Sequence, residues 1–401
     1  MYTCRHIGRL LLVIFILANP FCLYAQSADD SLKVSLLTCS PGTQTYQLYG
    51  HTGLRVADPA RNLDVVFNYG VFDFRKPHFA WRFVLGECDY ELAPYPFETF
   101  MREYRVRGSS VTEQTLALTT EEKMRLYRDL IVAIRPENKT YRYNFLTANC
   151  TTKARDMIEQ AVEGHIVYEE ADEKWTYRQL LHRYTAGYPW SEQGNDILLG
   201  AECDTLLTDR AAQFLPEQLM AYVDKARIFD DEGNRRPLVS QTTVLLEENA
   251  ELLHPASDKD KFPWLTPFVA GMIALAVALL VMIIEYLTRR MWWLFDVLLM
   301  TLQGLAGVLL CFMFLFSQHP TVDSNWQVWV FNPLPLLCIA WVVRCARRRK
   351  TCLYHYINAL WLALFVVFSL WIPQDFSAMT LPLALTLLTR PISYYLSYTR
   401  Q

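Results

Sequence analysis

Hydrophobic positions along this chain change their rhythm twice. An apolar run at 10–18 follows Arg5 and Arg9 and precedes Cys22-Leu23-Tyr24-Ala25-Gln26, which predicts a secretory signal cleaved after Ala25. From there to residue 256, apolar residues come in short runs or at helical spacing. Stretches of Val, Leu, Phe and Tyr at 34–37, 53–56, 64–69, 79–84 and 90–92 predict strands, with a turn at Asp58-Pro59-Ala60-Arg61-Asn62. Thr119-Thr120-Glu121-Glu122 is a capping box that opens a helix through Ile134, stopped by Pro136. An extended stretch at 141–145 leads into a helix over 151–162 with Ala154, Met157, Ile158, Ala161 and Val162 on one face. Strands first and helices after predict an α+β domain.

Beyond residue 266 the apolar runs reach bilayer length. Those at 266–287, 292–316, 327–343, 353–372 and 378–395 predict an all-α bundle of five transmembrane helices. Arg289 and Arg290 follow the first run, Arg344, Arg347, Arg348, Arg349 and Lys350 the third, and Arg400 the fifth, whereas loops 317–326 and 373–377 hold no Lys or Arg. The positive-inside rule then leaves the N-terminal domain and those two loops outside the cytoplasm and the C-terminus within it. The predicted organisation is a signal at 1–25, an exported domain at 26–256, a charged linker at 257–265 and the membrane helices at 266–401. Glu285 and Asp296 fall near the cytoplasmic ends of spans, where snorkelling to the interface is expected.

Cysteine usage narrows the chemistry. Of ten cysteines, Cys4 and Cys22 fall in the leader and Cys311, Cys338, Cys345 and Cys352 in or beside spans, which leaves Cys39, Cys88, Cys150 and Cys203 in the exported domain. They show no metal-ligand spacing, so neither a metal nor another cofactor is expected. If Cys150 stays free, one disulfide among Cys39, Cys88 and Cys203 is open, and the intervals do not choose it. A net charge of −3 without a basic stripe gives no reason to expect a nucleic-acid partner.

Cys150 stands at the mouth of the 151–162 helix, whose free N–H groups favour a thiolate. A nucleophilic thiol needs a base and a group that orients the base. His51 is the candidate base. Asp64 and Asn68 share a face of the following strand and are the candidates for the third position, with Asn68 preferred. His319, in loop 317–326, is a candidate to meet a phosphate or an acceptor, or simply to cap a span. Tyr49 and Arg55 flank the histidine and suit either a lipid headgroup or a salt bridge and core packing, the second being the better expectation.

A histidine on a strand, a polar residue on the next strand and an Asn-Cys pair at a helix start resemble the circularly permuted papain-like thiol enzymes, the group of lecithin:retinol acyltransferase and NlpC-type peptidases. Four motifs are more specific: Leu36-Leu37-Thr38-Cys39-Ser40-Pro41-Gly42, Tyr49-Gly50-His51-Thr52-Gly53-Leu54-Arg55-Val56, Phe67-Asn68-Tyr69-Gly70-Val71-Phe72-Asp73-Phe74, and Tyr143-Asn144-Phe145-Leu146-Thr147-Ala148-Asn149-Cys150-Thr151-Thr152. In this order, and with Ser317-Gln318-His319-Pro320 and Asn325-Trp326 in the membrane half, they resemble the Lnb-type lipoprotein N-acyltransferases. That resemblance implies a periplasmic thiol domain on an inner-membrane bundle. It also implies acyl transfer from a phospholipid, through a Cys150 thioester, to the α-amine of a diacylglyceryl-cysteine lipoprotein. The competing expectations on the same scaffold are a membrane-anchored peptidase or amidase of peptidoglycan, a phospholipase, and a non-enzymatic assembly factor with a buried Cys150.

Overall fold

The computed structural model describes residues 31–73, 75, 77–254 and 263–398; the expected signal at 1–25, the linker residues 257–261 and Arg400 lie outside the described residues. Among the described residues ten strands are formed: β1 (Lys33–Cys39), β2 (His51–Asp58), β3 (Leu63–Val71), β4 (Asp89–Pro96), β5 (Val111–Leu116), β6 (Thr140–Arg142), β7 (His165–Val167), β8 (Arg227–Phe229), β9 (Arg235–Pro237) and β10 (Val239–Leu246). Seven of them make one antiparallel sheet in the order β10-β5-β1-β2-β3-β4-β6, and β7-β8-β9 make a small second sheet.

The centre of the large sheet is covered on both faces. Leu36, Leu54 and Phe67 pack with residues of the helices Thr120–Ala133, Cys150–Ala161 and Pro216–Lys225, while Leu37, Cys39 and Val66 pack with Phe100, Met101 and Tyr104 of the helix Phe97–Arg107. A strand buried on both sides needs residues that can be buried on both faces, and Val34, Leu36 and Leu37 are all fully buried, with the small Ser35 buried between them. The capping box at Thr119 is formed with both of its hydrogen bonds, and the Glu122 carboxylate that closes it also receives Arg236 at 2.6 Å.

One expected strand is a helix. Residues 79–84 form the helix Phe79–Val84, because its aromatic residues at helical spacing find partners outside the sheet: Phe79 stacks on Phe83, and Trp81 packs on Phe312 at 4.8 Å. Tertiary contact here overrides strand propensity.

After residue 266 the described residues form five α-helices: Pro267–Thr288, Trp293–Phe316, Leu334–Arg347, Leu353–Phe368 and Thr380–Tyr398. Three segments are long and apolar enough to cross a membrane, Pro267–Thr288, Trp293–Phe316 and Trp326–Arg347, the last including a 3-10 turn at Trp326–Trp329. Glu285 and Asp296 correct an expectation. They do not snorkel but are fully buried on Arg390, which donates to Glu285 at 2.8 and 2.9 Å and to Asp296 at 2.5 Å. Ser393 and Tyr394 complete the cluster at 2.5 and 3.0 Å. Where water is absent, mutual pairing is what makes such charges tolerable. The cysteines also decide a point left open: among the described residues Cys39, Cys88 and Cys203 are free, with Cys39 on β1, Cys88 just before β4 and Cys203 in the 3-10 turn Ala201–Asp204.

Residues 189–204 join the two halves through polar contacts. Arg178, buried, holds Asp196 at 2.8 Å, Asp204 at 2.7 Å and the carbonyls of Leu199 and Gly200. The segment so fixed meets the membrane half directly: Gln327 donates to the Asp196 carbonyl, Asn325 to that of Ile197 and Gln374 to that of Leu199. Replacing Arg178 with Ala strands the buried Asp196 carboxylate and the partly buried Asp204 one, a loss on the order of 3–5 kcal/mol. Thermal unfolding of the detergent-solubilised chain is expected to show a clear drop in midpoint for Arg178→Ala and little change for the exposed Arg183→Ala.

Candidate active site

The helix Cys150–Ala161 begins where it does because Asn149 caps it. Its Oδ1 accepts the N–H groups of Thr151 and Thr152 at 2.9 Å each, and the Thr152 hydroxyl accepts the Asn149 N–H at 3.0 Å. The Asn149 Nδ2 donates to the carbonyls of Phe145 and Phe214 at 2.8 Å each. The cap thereby ties the helix start both to the preceding loop and to the chain entering Pro216–Lys225. Asn is among the strongest N-cap residues, so the Asn-Cys-Thr-Thr order carried this signal. Cys150, partly exposed, occupies the first turn of a helix that packs on β2 and β3.

His51 opens β2 and Asn68 lies on β3. His51 Nε2 and Asn68 Oδ1 are 2.5 Å apart. An amide oxygen can only accept, so Nε2 carries the proton and Nδ1 is the ring nitrogen left for another partner. His51 also hydrogen-bonds the Cys150 sulfur, and both approach Gly70: a Cβ built there would lie 3.8 Å from Cys150 Cβ and 3.9 Å from His51 Cε1. Gly70 has φ +96°, a conformation that favours glycine, and sits in an irregularity of the β3–β4 pairing between Asn68 and Val71.

Burial, the largest single influence, would push the Cys150 thiol up, and the charge on His51 works against it. The hydrogen bonds from His51, the Thr52 backbone N–H and the Thr151 hydroxyl add to that effect, and the thiol comes down to about 7. For His51, burial opposes the charged form, yet the sulfur's negative charge and the hydrogen bonds to Cys150 and Asn68 raise it above its ordinary value. Both shifts favour the same charge-separated pair, thiolate beside imidazolium. The other thiols of this half go the opposite way: burial raises Cys39, Cys88 and Cys203, the last to about 11. A thiolate held by an imidazolium, with the imidazolium held by an amide, can attack a carbonyl carbon and move a proton in the same step.

The remaining candidates lie elsewhere. Asp64 shares the face of Asn68 but sits four residues, about 13 Å, further along the strand. There it forms a bidentate pair with Arg55 at 2.7 and 2.8 Å. Arg55 also binds Glu113 at 3.1 Å and lies over the Phe97 ring, so it is occupied on the sheet surface. The Tyr49 hydroxyl accepts from Asn195 at 2.5 Å, its ring meets Phe145 edge-on, and burial raises it to about 12; it links the histidine strand to the segment that contacts the membrane half. His319 is bonded to the Phe83 carbonyl at 2.5 Å, so it faces the thiol domain at the helix Phe79–Val84.

Sequence reading passed over the Thr52 N–H, the Gly70 opening and the full role of Asn149. The first two are backbone features without a side-chain signature. His182, Glu192 and Asp196 bring ligand atoms within 4.8 Å of one another, but the Asp196 oxygen bonded to His182 is also bound by Arg178, a cation that opposes a metal ion there.

Comparison with known proteins agrees with the arrangement in both halves. Residues 22–183 match the Lnb N-terminal periplasmic domain, and residues 257–401 match the Lnb transmembrane domain. No curated protein and no solved structure matches the chain.

The charge pairing has a measurable consequence. A thiol titrating at about 7 becomes reactive as pH rises through that value, so alkylation of Cys150 by iodoacetamide is expected to reach half its plateau near pH 7. In His51→Ala the charge and hydrogen bond of the imidazole are lost and burial is left against only the Thr52 and Thr151 hydrogen bonds, which returns the thiol toward its ordinary value of 9.0. Thiolate at pH 7 then falls about fiftyfold, and alkylation with it. Mass mapping should find Cys39, Cys88 and Cys203 unmodified at pH 7. Asn68→Ala is expected to slow Cys150 alkylation less than His51→Ala does, and an effect larger than that of His51→Ala would contradict the positioning assigned to Asn68.

Proposed function

As a member of the Lnb family that carries both its periplasmic and its transmembrane domain, the chain is a lipoprotein N-acyltransferase-type membrane protein, and we propose that it works through a thioester at Cys150. The donor is a glycerophospholipid and the acceptor is the α-amine of a diacylglyceryl-cysteine at a lipoprotein N-terminus. The observation that carries this reading is a lowered thiol bonded to His51, itself bonded to Asn68, in a domain docked onto apolar helices. Cys150 is the nucleophile, His51 the proton carrier and Asn68 the residue that orients His51.

The reaction balances over two half-steps. The Cys150 thiolate attacks the ester carbonyl carbon, and the oxyanion that develops is met by the Cys150 backbone N–H, which in the first helical turn has no carbonyl to bind. The C–O bond breaks as imidazolium gives its proton to the departing oxygen, releasing a lysophospholipid and leaving the thioester. The neutral amine then attacks the thioester, the C–S bond breaks, and the amine's proton passes to His51. Thiolate and imidazolium are restored. Water would intercept the thioester, so its place beside the membrane boundary serves transfer over hydrolysis.

The architecture that supports this is a permuted papain-like domain in the periplasm. The order histidine strand, asparagine strand, cysteine helix supports that assignment, as does the packing of the cysteine helix on β2 and β3. The five helices after residue 266 are read as five spans with a cytoplasmic C-terminus, on the grounds that loops without Lys or Arg alternate with Arg-rich ones. The domain limits follow: signal 1–25, thiol domain 26–256, linker 257–265 and membrane domain 266–401.

Incubating the purified protein with acyl-labelled phospholipid and no acceptor is expected to trap label on Cys150 that hydroxylamine removes, with none of that label in Cys150→Ser. Wild-type protein that turns over lipid but never carries label at Cys150 would defeat the thioester route. In cells lacking the gene, mass spectrometry of lipoprotein N-termini should show loss of the amide-linked chain. Unaltered lipoproteins with changed peptidoglycan fragments would instead establish the amidase reading, and release of free fatty acid in place of amide the phospholipase one.

A further inference from the structure

Two other features of the membrane half point to no ligand. The buried Arg390 cluster is internally satisfied, and the apolar recess of about 210 Å³ beside His355 sits among membrane helices with nothing to distinguish its occupant from surrounding lipid. The helix Phe79–Val84 is different. Within six residues it turns two aromatic side chains outward, with Trp81 54% and Phe83 45% exposed.

Two sets of contacts define where this helix lies. On one side it is clamped to the end of the membrane helix Trp293–Phe316. Ser317 Oγ donates to the Val84 carbonyl at 2.7 Å, Gln318 N–H to the Leu85 carbonyl at 2.8 Å, and His319 binds the Phe83 carbonyl. The close approach requires Gly86, at φ +70°, since a Cβ there would lie 2.7 Å from His319 N. Trp81 continues the apolar surface onto Phe312, and the neighbouring Leu315 and Phe316 are exposed. On the other side the helix leads back to the thiol. Phe83 stacks on Phe79, Phe79 on Phe72 at 6.2 Å, and Phe72 on Tyr90 at 4.9 Å. Phe72 stands two residues past Gly70, the glycine that borders both Cys150 and His51.

We propose that this aromatic band is the seat of the donor's acyl chain. A glycerophospholipid of the adjoining leaflet lays its chain along Phe83, Phe79 and Phe72, with the tail toward Phe312 and the ester toward Gly70. Aromatic rings present large apolar area at little conformational cost and are favoured where one end of an element meets lipid and the other water. The continuity of the band with a membrane-spanning helix selects a lipid chain as the occupant over a peptide. The identity of the ester as the reacting group rests on the function proposed above; the binding of the chain does not.

The test uses full-length protein in vesicles of phosphatidylethanolamine and phosphatidylglycerol that contain phospholipid probes carrying a photoreactive diazirine at one chain position. A diazirine near the ester is expected to be captured by Phe72 or Tyr90, and one near the chain end by the helix Phe79–Val84. Adducts confined to residues 267–316 would overturn the proposal, even if Cys150 is acylated normally. Adducts on the band in a protein that never labels Cys150 would keep the seat and remove the acyltransfer reading. The double variant Phe79→Ser/Phe83→Ser is expected to raise the long-chain phospholipid concentration for half-maximal labelling about tenfold, the scale of losing buried apolar contact. The rise should be far smaller for a donor with four-carbon chains, and Phe79→Leu/Phe83→Leu should restore most of the difference. Equal weakening for both chain lengths, with iodoacetamide titration of Cys150 intact, would mean that the rings only support the fold and would overturn the assignment.

Discussion

Asn149 spends its whole hydrogen-bonding capacity on position. Its oxygen takes two helix N–H groups and its nitrogen supplies two carbonyls, one before the helix and one sixty-five residues later. The next residue is Cys150, so the direction in which the sulfur leaves the backbone follows from that cap. The rest of the site is arranged around this fixed point: His51 at the head of β2, Asn68 across on β3, and Gly70 where a side chain would crowd both. A cap in an ordinary helix satisfies loose N–H groups. Here the same bonds also hold the reactive atom to its base.

The site's electrostatics depend on that rigidity. Desolvation works against both charged partners, and only close mutual pairing turns Cys150 down and His51 up. Cys39 shows what burial does without such a partner. It pairs with His51 across β1 and β2 in register, yet it is sealed under Tyr104 and Phe100 and driven upward. The helix thiol and the strand thiol thus differ in reactivity because Cys150 is hydrogen-bonded by the imidazole on a partly open side and Cys39 is sealed away from it.

Position also governs how the thiol domain meets the membrane half. The contacts between them include hydrogen bonds from Asn325, Gln327 and Gln374 to the backbone of 196–199, and from 317–319 to the backbone of 83–85. Bonds to main-chain carbonyls fix register as well as proximity. Deeper in the membrane half, Arg390 ties Glu285 and Asp296 together across three helices, a bond set with no water to compete. The two halves are therefore locked to each other and the helices among themselves, which suits a protein proposed to work on molecules embedded in the bilayer.

Periodicity in the sequence was enough to read the thiol helix, the Thr119 capping box, β1 to β3 and the apolar segments of the membrane half, because each is written in local spacing that survives any tertiary context. The pairing of Asn-Cys with an upstream histidine was legible for the same reason: residue type and helix position alone make a thiolate candidate. The preference for Asn68 over Asp64 was only partly so, since both share a face, and it took the strand register and the claim of Arg55 on Asp64 to separate them. Tertiary structure alone decided that 79–84 is a helix, that Glu285 and Asp296 turn inward, and that Cys39, Cys88 and Cys203 stay apart. In each of those cases the deciding partner lies dozens to hundreds of residues away, and a local pattern carries no information about a neighbour that only folding supplies.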